Sequence, residues 1–222
     1  MPPPIVFTGL SISREQALRL VPAEIRPPIK RGDLDRLVDG SVVAIIDGEI
    51  TEETAVPIDE VCRALRRGIK ISGAASVGAL CAYETRAEGM EGLGWVYKAY
   101  CSGRITGTDE IVVLYDPNSY RLLTTPLVNV RFYLEHLSYQ RIISAMEAEH
   151  AMTSLKELEF EKRDRRRILL CLADALGRHR VKKLLRRVPL AKVDVKRRDA
   201  YELLRGLGRL KGNVSGSNSL NR

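Results

Sequence analysis

The chain has 222 residues, enough for one main domain with an appendage, and its 45% hydrophobic content suits a protein that buries a core without staples. It has no apolar run of about 18 residues, no basic leader in MPPPIVFTGL, no CxxC pair among Cys62, Cys81, Cys101 and Cys171, and no motif that asks for a metal or cofactor; this points away from a membrane span, export, a zinc knuckle or a dithiol redox site, and toward a cytoplasmic protein with reduced thiols. The net charge of +8 is uneven, because residues 151–222 carry 20 Lys and Arg against 8 Asp and Glu, a net +12, which leaves −4 for residues 1–150.

Residues 4–10 (PIVFTGL) read as a buried strand. Ser13 with Gln16 three positions on has capping-box spacing and opens a helix that stops before Pro22. Residues 27–33 (PPIKRGD) form a stiff polar loop, entered through two prolines and turned at Gly32, and 34–38 read as a short helix. Residues 41–47 (SVVAIID) are a near-continuous apolar strand, the pattern of a strand covered on both faces, and Asp47-Gly48 ends it. An amphipathic helix follows over 56–67, closed by Gly68, then a strand over 69–73 and a helix over 77–87. Strands alternating with helices predict an α/β layer with a mainly parallel sheet. Residues 111–115 (IVVLY) read as a further strand that pairs with 120–124. Beyond it the pattern is helical over 127–151 and 155–187, is broken at Pro189, and resumes over 196–208. The expected organisation is an α/β core over 1–135, a basic helical extension over 136–210, and a disordered tail over 211–222.

The sharpest local feature is Gly73-Ala74-Ala75-Ser76-Val77-Gly78. A serine sits between a predicted strand and a predicted helix, flanked by residues small enough for a very tight turn. Such a turn lifts the hydroxyl clear of the strand end and aims the first amides of the helix, those of Val77 and Gly78, at a developing oxyanion. The same composition also suits anion binding or plain close packing. A catalytic serine needs a base. His136, His150 and His179 all fall in the later helical stretches, so a lysine is the better candidate, and of Lys30, Lys70 and Lys98 the proline-held Lys30 is preferred. Asp47 at a strand end, Asp33 and Arg31 in the PPIKRGD loop, and Asp109 before IVVLY are candidate supporting residues. Acidic partners suit the basic C-terminal third, whose few aromatic residues argue against single-stranded nucleic acid.

Taken in order, the segments FTGLS, RPPIKRGDL, AIIDG, GAASVGAL, EGMEGLGWVY and TDEIVVLY resemble the TfuA family over about residues 5–135. The resemblance implies an archaeal source and a hydrolase-like core, and a partner role beside a YcaO enzyme, which activates a peptide amide for thioamidation. It also implies hydrolysis of the thiocarboxylate of a ubiquitin-like sulfur carrier at a serine–lysine site, and help in engaging the peptide or protein substrate. The serine carried over is Ser76. The lysine is not fixed by it: many members have a His-Lys-Glu stretch where this chain has Pro57-Ile58-Asp59-Glu60, with no His or Lys, and an arginine where it has Cys81.

Overall fold

The computed structural model describes residues 2–215, the side chains of 209–215 excepted. The chain divides into two compact units, one made of residues 1–106 with the segment from 196 onward, the other of residues 107–195. The division therefore falls at 106 and 195, while the sequence pattern suggested boundaries at 135 and 210.

The first unit is built on a sheet of five parallel strands, β1 (Ile5–Phe7), β2 (Glu24–Arg26), β3 (Val42–Ile45), β4 (Lys70–Gly73) and β5 (Glu91–Gly92), in the order β2-β1-β3-β4-β5. This is a doubly wound order, and in such sheets ligands gather at the carboxyl ends of the strands. Helix α1 (Arg14–Leu18) starts at Ser13, and the Ser13–Gln16 capping box is present as the spacing predicted. Residues 34–38, expected as a short helix, form turns instead. The buried Glu60 of helix α2 (Ile58–Arg66) takes the Gly32 and Leu34 amides at 2.7 and 2.9 Å, and so holds this stretch in a loop. Helix α3 (Val77–Glu84) follows β4, and helix α4 (Gly94–Cys101) follows β5.

Side chains alternate across the sheet. Val6, Ala44 and Ala74 point to the face covered by α1 and by helix α9 (Val195–Ser215), whose Ala200, Leu203, Leu204 and Leu207 join them in one apolar cluster. Gly73 and its register partner Ile45 point the other way, toward α3. Gly208 lies close to the Leu20 carbonyl, just before β2 begins, while Asp199 accepts from the Val96 amide, just after β5 ends. Helix α9 therefore runs against the strand direction, and its first turns lie at the carboxyl edge of the sheet. The tail expected from 211 is helical to Ser215, and residues 216–222 lie outside the described residues.

The second unit is helical. Residues 111–115 do not form a strand of the sheet; a single antiparallel bridge, Tyr115 to Leu122, makes them part of a small hairpin. The long helical stretches are each broken. Helix α5 (Leu127–Tyr139) ends before Arg141, whose φ is +57°, and α6 (Ala145–Lys156) restarts with a Ser144–Glu147 capping box. Helices α7 (Arg165–Leu176) and α8 (Arg178–Arg187) are separated by Gly177 at φ +86°. The four helices share one apolar core that includes Leu134, Met152, Leu172 and Leu184.

Candidate functional site

The turn after β4 is tighter than the sequence alone implies. The Ser76 amide donates to the Ala74 carbonyl at 2.8 Å across Ala75, which has φ +69°. This is a three-residue γ-turn of the rarer, strained hand. Two close approaches force glycine on either side. A Cβ on Gly73 would lie 2.0 Å from the Gly78 carbonyl oxygen, and one on Gly78 would lie 1.8 Å from that of Ile45. The first turn of α3 thus presses against both β4 and β3, and Ser76 stands at its N-terminus with no side-chain capping bond.

Ser76 is 4% exposed. Its hydroxyl has no hydrogen-bond partner among the described residues, yet no fully buried side-chain oxygen there lacks one. The Oγ therefore reaches solvent through a narrow opening. Of the two amides expected to face an anion, that of Gly78 donates to the Ile46 carbonyl at 3.3 Å, and so is already engaged. The amides of Val77 and Ala75 meet no acceptor among the described residues. Cys81, one turn into α3, is buried, and burial pushes its thiol up to about 12, which makes it a poor nucleophile.

The supporting residues read from sequence are mostly committed to the backbone. Asp47 is fully buried at the end of β3 and gathers the loop after β1. Its Oδ2 accepts from Thr8 Oγ1 and from the amides of Gly9, Leu10 and Ser11, and its Oδ1 accepts from Ser11 Oγ at 2.6 Å. It fills the crevice between the ends of β1 and β3, where the strand order reverses. Asp33 accepts from the Lys30 amide at 2.9 Å and closes its own turn. Arg31 is pinned to the carbonyls of Glu52 and Glu53. The Lys30 side chain, preferred because prolines hold its loop, is exposed, so it lacks the burial that equips a lysine as a base. Its neighbour Ile29 bridges Gly48, and a Cβ on Gly48 would touch both Ile29 and Val77, so the PPIKRGD loop does flank the start of α3. Asp109 belongs to the second unit, where Arg163 takes its carboxylate at 2.8 Å.

Two residues that sequence reasoning passed over lie at the start of α9. Asp199, fully buried, accepts from the Val96 amide at 2.8 Å and from that of Trp95, so it caps α4 from a distant part of the chain. Burial raises its carboxyl above the ordinary range, against the pull of those two amides. Gly94 has φ +88°, and a Cβ there would lie 2.4 Å from the Asp199 Cγ. Lys196 is 3% exposed. At 100° per residue it shares a stripe with Ala200, Leu203 and Leu207, the stripe that packs on the face carrying Ala74. A buried lysine therefore begins the helix stripe whose later residues share an apolar cluster with Ala74 and Ala75. The spacing of 196, 200, 203 and 207 was open to reading, but the surrounding run of basic residues hid it.

No group of three or more His, Cys, Asp or Glu among the described residues is placed to hold a metal, and no helix there is long and apolar enough to cross a membrane. A cavity of 330 Å³ between α5 and α6, lined by Arg131, Leu134, Glu149 and Met152, includes none of these site residues.

Sheet, elbow and glycines together define a doubly wound α/β protein with a serine on its strand–helix turn. The chain belongs to the TfuA-like protein family, whose model matches residues 47–164. That match takes in the Ser76 turn and stops short of α9. No curated protein matches the chain.

Proposed function

We propose that the chain works in the cytoplasm as the TfuA-like partner of a YcaO enzyme in peptide thioamidation, releasing sulfide from a thiocarboxylated ubiquitin-like carrier for the peptide or protein that YcaO activates. The observation that carries this reading is the glycine-forced turn that holds an unpartnered, solvent-reaching Ser76 hydroxyl at the start of α3. Ser76 attacks the thiocarboxylate carbon, and its proton passes to a lysine amine. Lys196 suits that role better than Lys30, because it is buried and begins the helix stripe that shares an apolar cluster with Ala74 and Ala75, the residues before Ser76. The Val77 and Ala75 amides support the oxyanion. The lysine returns the proton to sulfur, hydrosulfide leaves, and water hydrolyses the acyl-serine to the carrier carboxylate.

The test is sulfide release from thiocarboxylated carrier. Ser76→Ala is expected to lower the rate by about a thousandfold or more, Lys196→Met by about a hundredfold or more, and Lys30→Met to leave it unchanged. A Ser76→Ala protein that releases sulfide as fast as the parent would sink the enzymatic reading and leave a scaffold for YcaO.

A further inference from the structure

The second unit carries a surface that the Ser76 chemistry does not use. Helix α8 reads RHRVKKLLRR and contains no acidic residue. Val181 and Leu184 face the core, while Arg178, His179, Lys182, Lys183, Arg186 and Arg187 are exposed. Positions 178, 182 and 186 form one row along the helix, and 179 and 183 the next. Arg180 pairs with Glu147, but Arg178, Lys182, Lys183, Arg186 and Arg187 meet no carboxylate among the described residues. Like charges four residues apart weaken a helix, and α8 keeps three such pairs: 178 with 182, 182 with 186, and 183 with 187. No ion pair among the described residues offsets that repulsion, whereas an anionic partner would.

Exposed apolar side chains stand in the segment that Arg180 reaches and just before it. Arg180 also donates to the Ile142 carbonyl at 2.8 Å, so the start of α8 lies against residues 142–147. There Met146 is 84% exposed, and Tyr139, just before that stretch, is 87% exposed. Arginine, tyrosine and methionine are the side chains enriched in protein interfaces. Residues 163–195 contain no Phe, Trp or Tyr, so α8 and its flanks offer no stacking platform for single strands. Ten helical residues span about 15 Å, less than half a turn of duplex. These features favour a compact acidic protein face over nucleic acid.

We propose that the exposed face of α8, bordered by Met146 and Tyr139, docks an acidic face of the protein that delivers the thiocarboxylate; this rests on the function proposed above. The full chain is tested with thiocarboxylated ubiquitin-like carrier and with a short thiocarboxylate peptide that lacks the carrier body. Its binding to the carrier, and to a 20-bp DNA duplex, is measured directly by calorimetry. The triple variant Lys182→Glu, Lys183→Glu, Arg186→Glu is expected to raise Kd and KM for the carrier by about tenfold or more while leaving kcat and turnover of the short peptide unchanged. Parent affinity for the carrier falls as salt is added. The double variant Met146→Ser, Tyr139→Ser, which leaves α8 intact, is expected to weaken carrier binding about threefold without changing its salt dependence. No carrier binding by the parent, equal binding by parent and both variants, or tighter binding of the duplex than of the carrier overturns the docking surface. Failure of the parent to release sulfide from either substrate counts against the Ser76 chemistry, and the calorimetry still decides the surface.

Discussion

Gly73, Ala75 and Gly78 each carry part of the geometry that presents Ser76. Gly78→Ala drives a methyl group into the Ile45 carbonyl, and Gly73→Ala drives one into the Gly78 carbonyl. Either is expected to cost about 3 kcal/mol or more, because both neighbours are backbone and neither can swing aside. Ala75→Gly works in the other direction, relieving the positive φ for a net gain of about 1 kcal/mol after the added freedom of the unfolded chain. Urea midpoints at unchanged slope separate these outcomes. Thiol reactivity gives an independent view of the same turn. Exposed Cys101 is expected to alkylate at pH 8 while Cys81 stays unmodified until the protein unfolds, read by mass spectrometry of digested protein. Rapid labelling of Cys81 in the folded protein would mean that α3 is not packed as described.

Among the elements, α4 depends on α9 for its cap. Asp199→Leu removes the acceptor for the Val96 and Trp95 amides and is expected to cost about 2–3 kcal/mol, with Asp199→Asn costing less because one acceptor oxygen remains. The pH dependence follows from the raised carboxyl. The fold favours the protonated form, so this group's contribution is complete below the unfolded aspartate value of about 4 and declines as pH rises through the higher folded value. Chemical unfolding across pH 4–8 is expected to show a shallower decline in Asp199→Asn than in the parent. The elements that the sequence revealed are those with a strong local pattern: the Ser13 capping box, the apolar run of β3, amphipathic α2, and the β4–α3 turn. β2 and β5 were not legible, since they have only three and two residues and β5 ends in glycine. The apolar run at 111–115 reads as a strand, but only Ile111, Val112 and Val113 are buried, and the pairing with the segment that follows is one bridge rather than a ladder. The serine half of the candidate site was legible because its Gly and Ala neighbours are adjacent in sequence. The burial of Lys196 and Asp199 was not legible, because Asp199 meets the start of α4 across 103 residues and no local pattern announces it.

At the scale of the whole molecule, the first unit is made from the two ends of the chain, with residues 107–195 inserted between them. Truncation after residue 195 removes Ala200, Leu203, Leu204 and Leu207 from the sheet face and uncovers Val6, Ala44 and Ala74. The truncated chain is expected to keep helical far-UV signal, lose its near-UV signal and bind a hydrophobic dye, and a fully cooperative unfolding transition in it would contradict the assigned role of α9. The same arrangement sets a timetable for biosynthesis. The sheet strands emerge from the ribosome first, but the helix that covers them cannot arrive until roughly a hundred further residues have been made. At about 5–20 residues per second, the nascent sheet stays half-clad for about 5–20 s, an interval in which chaperone capture is the natural safeguard.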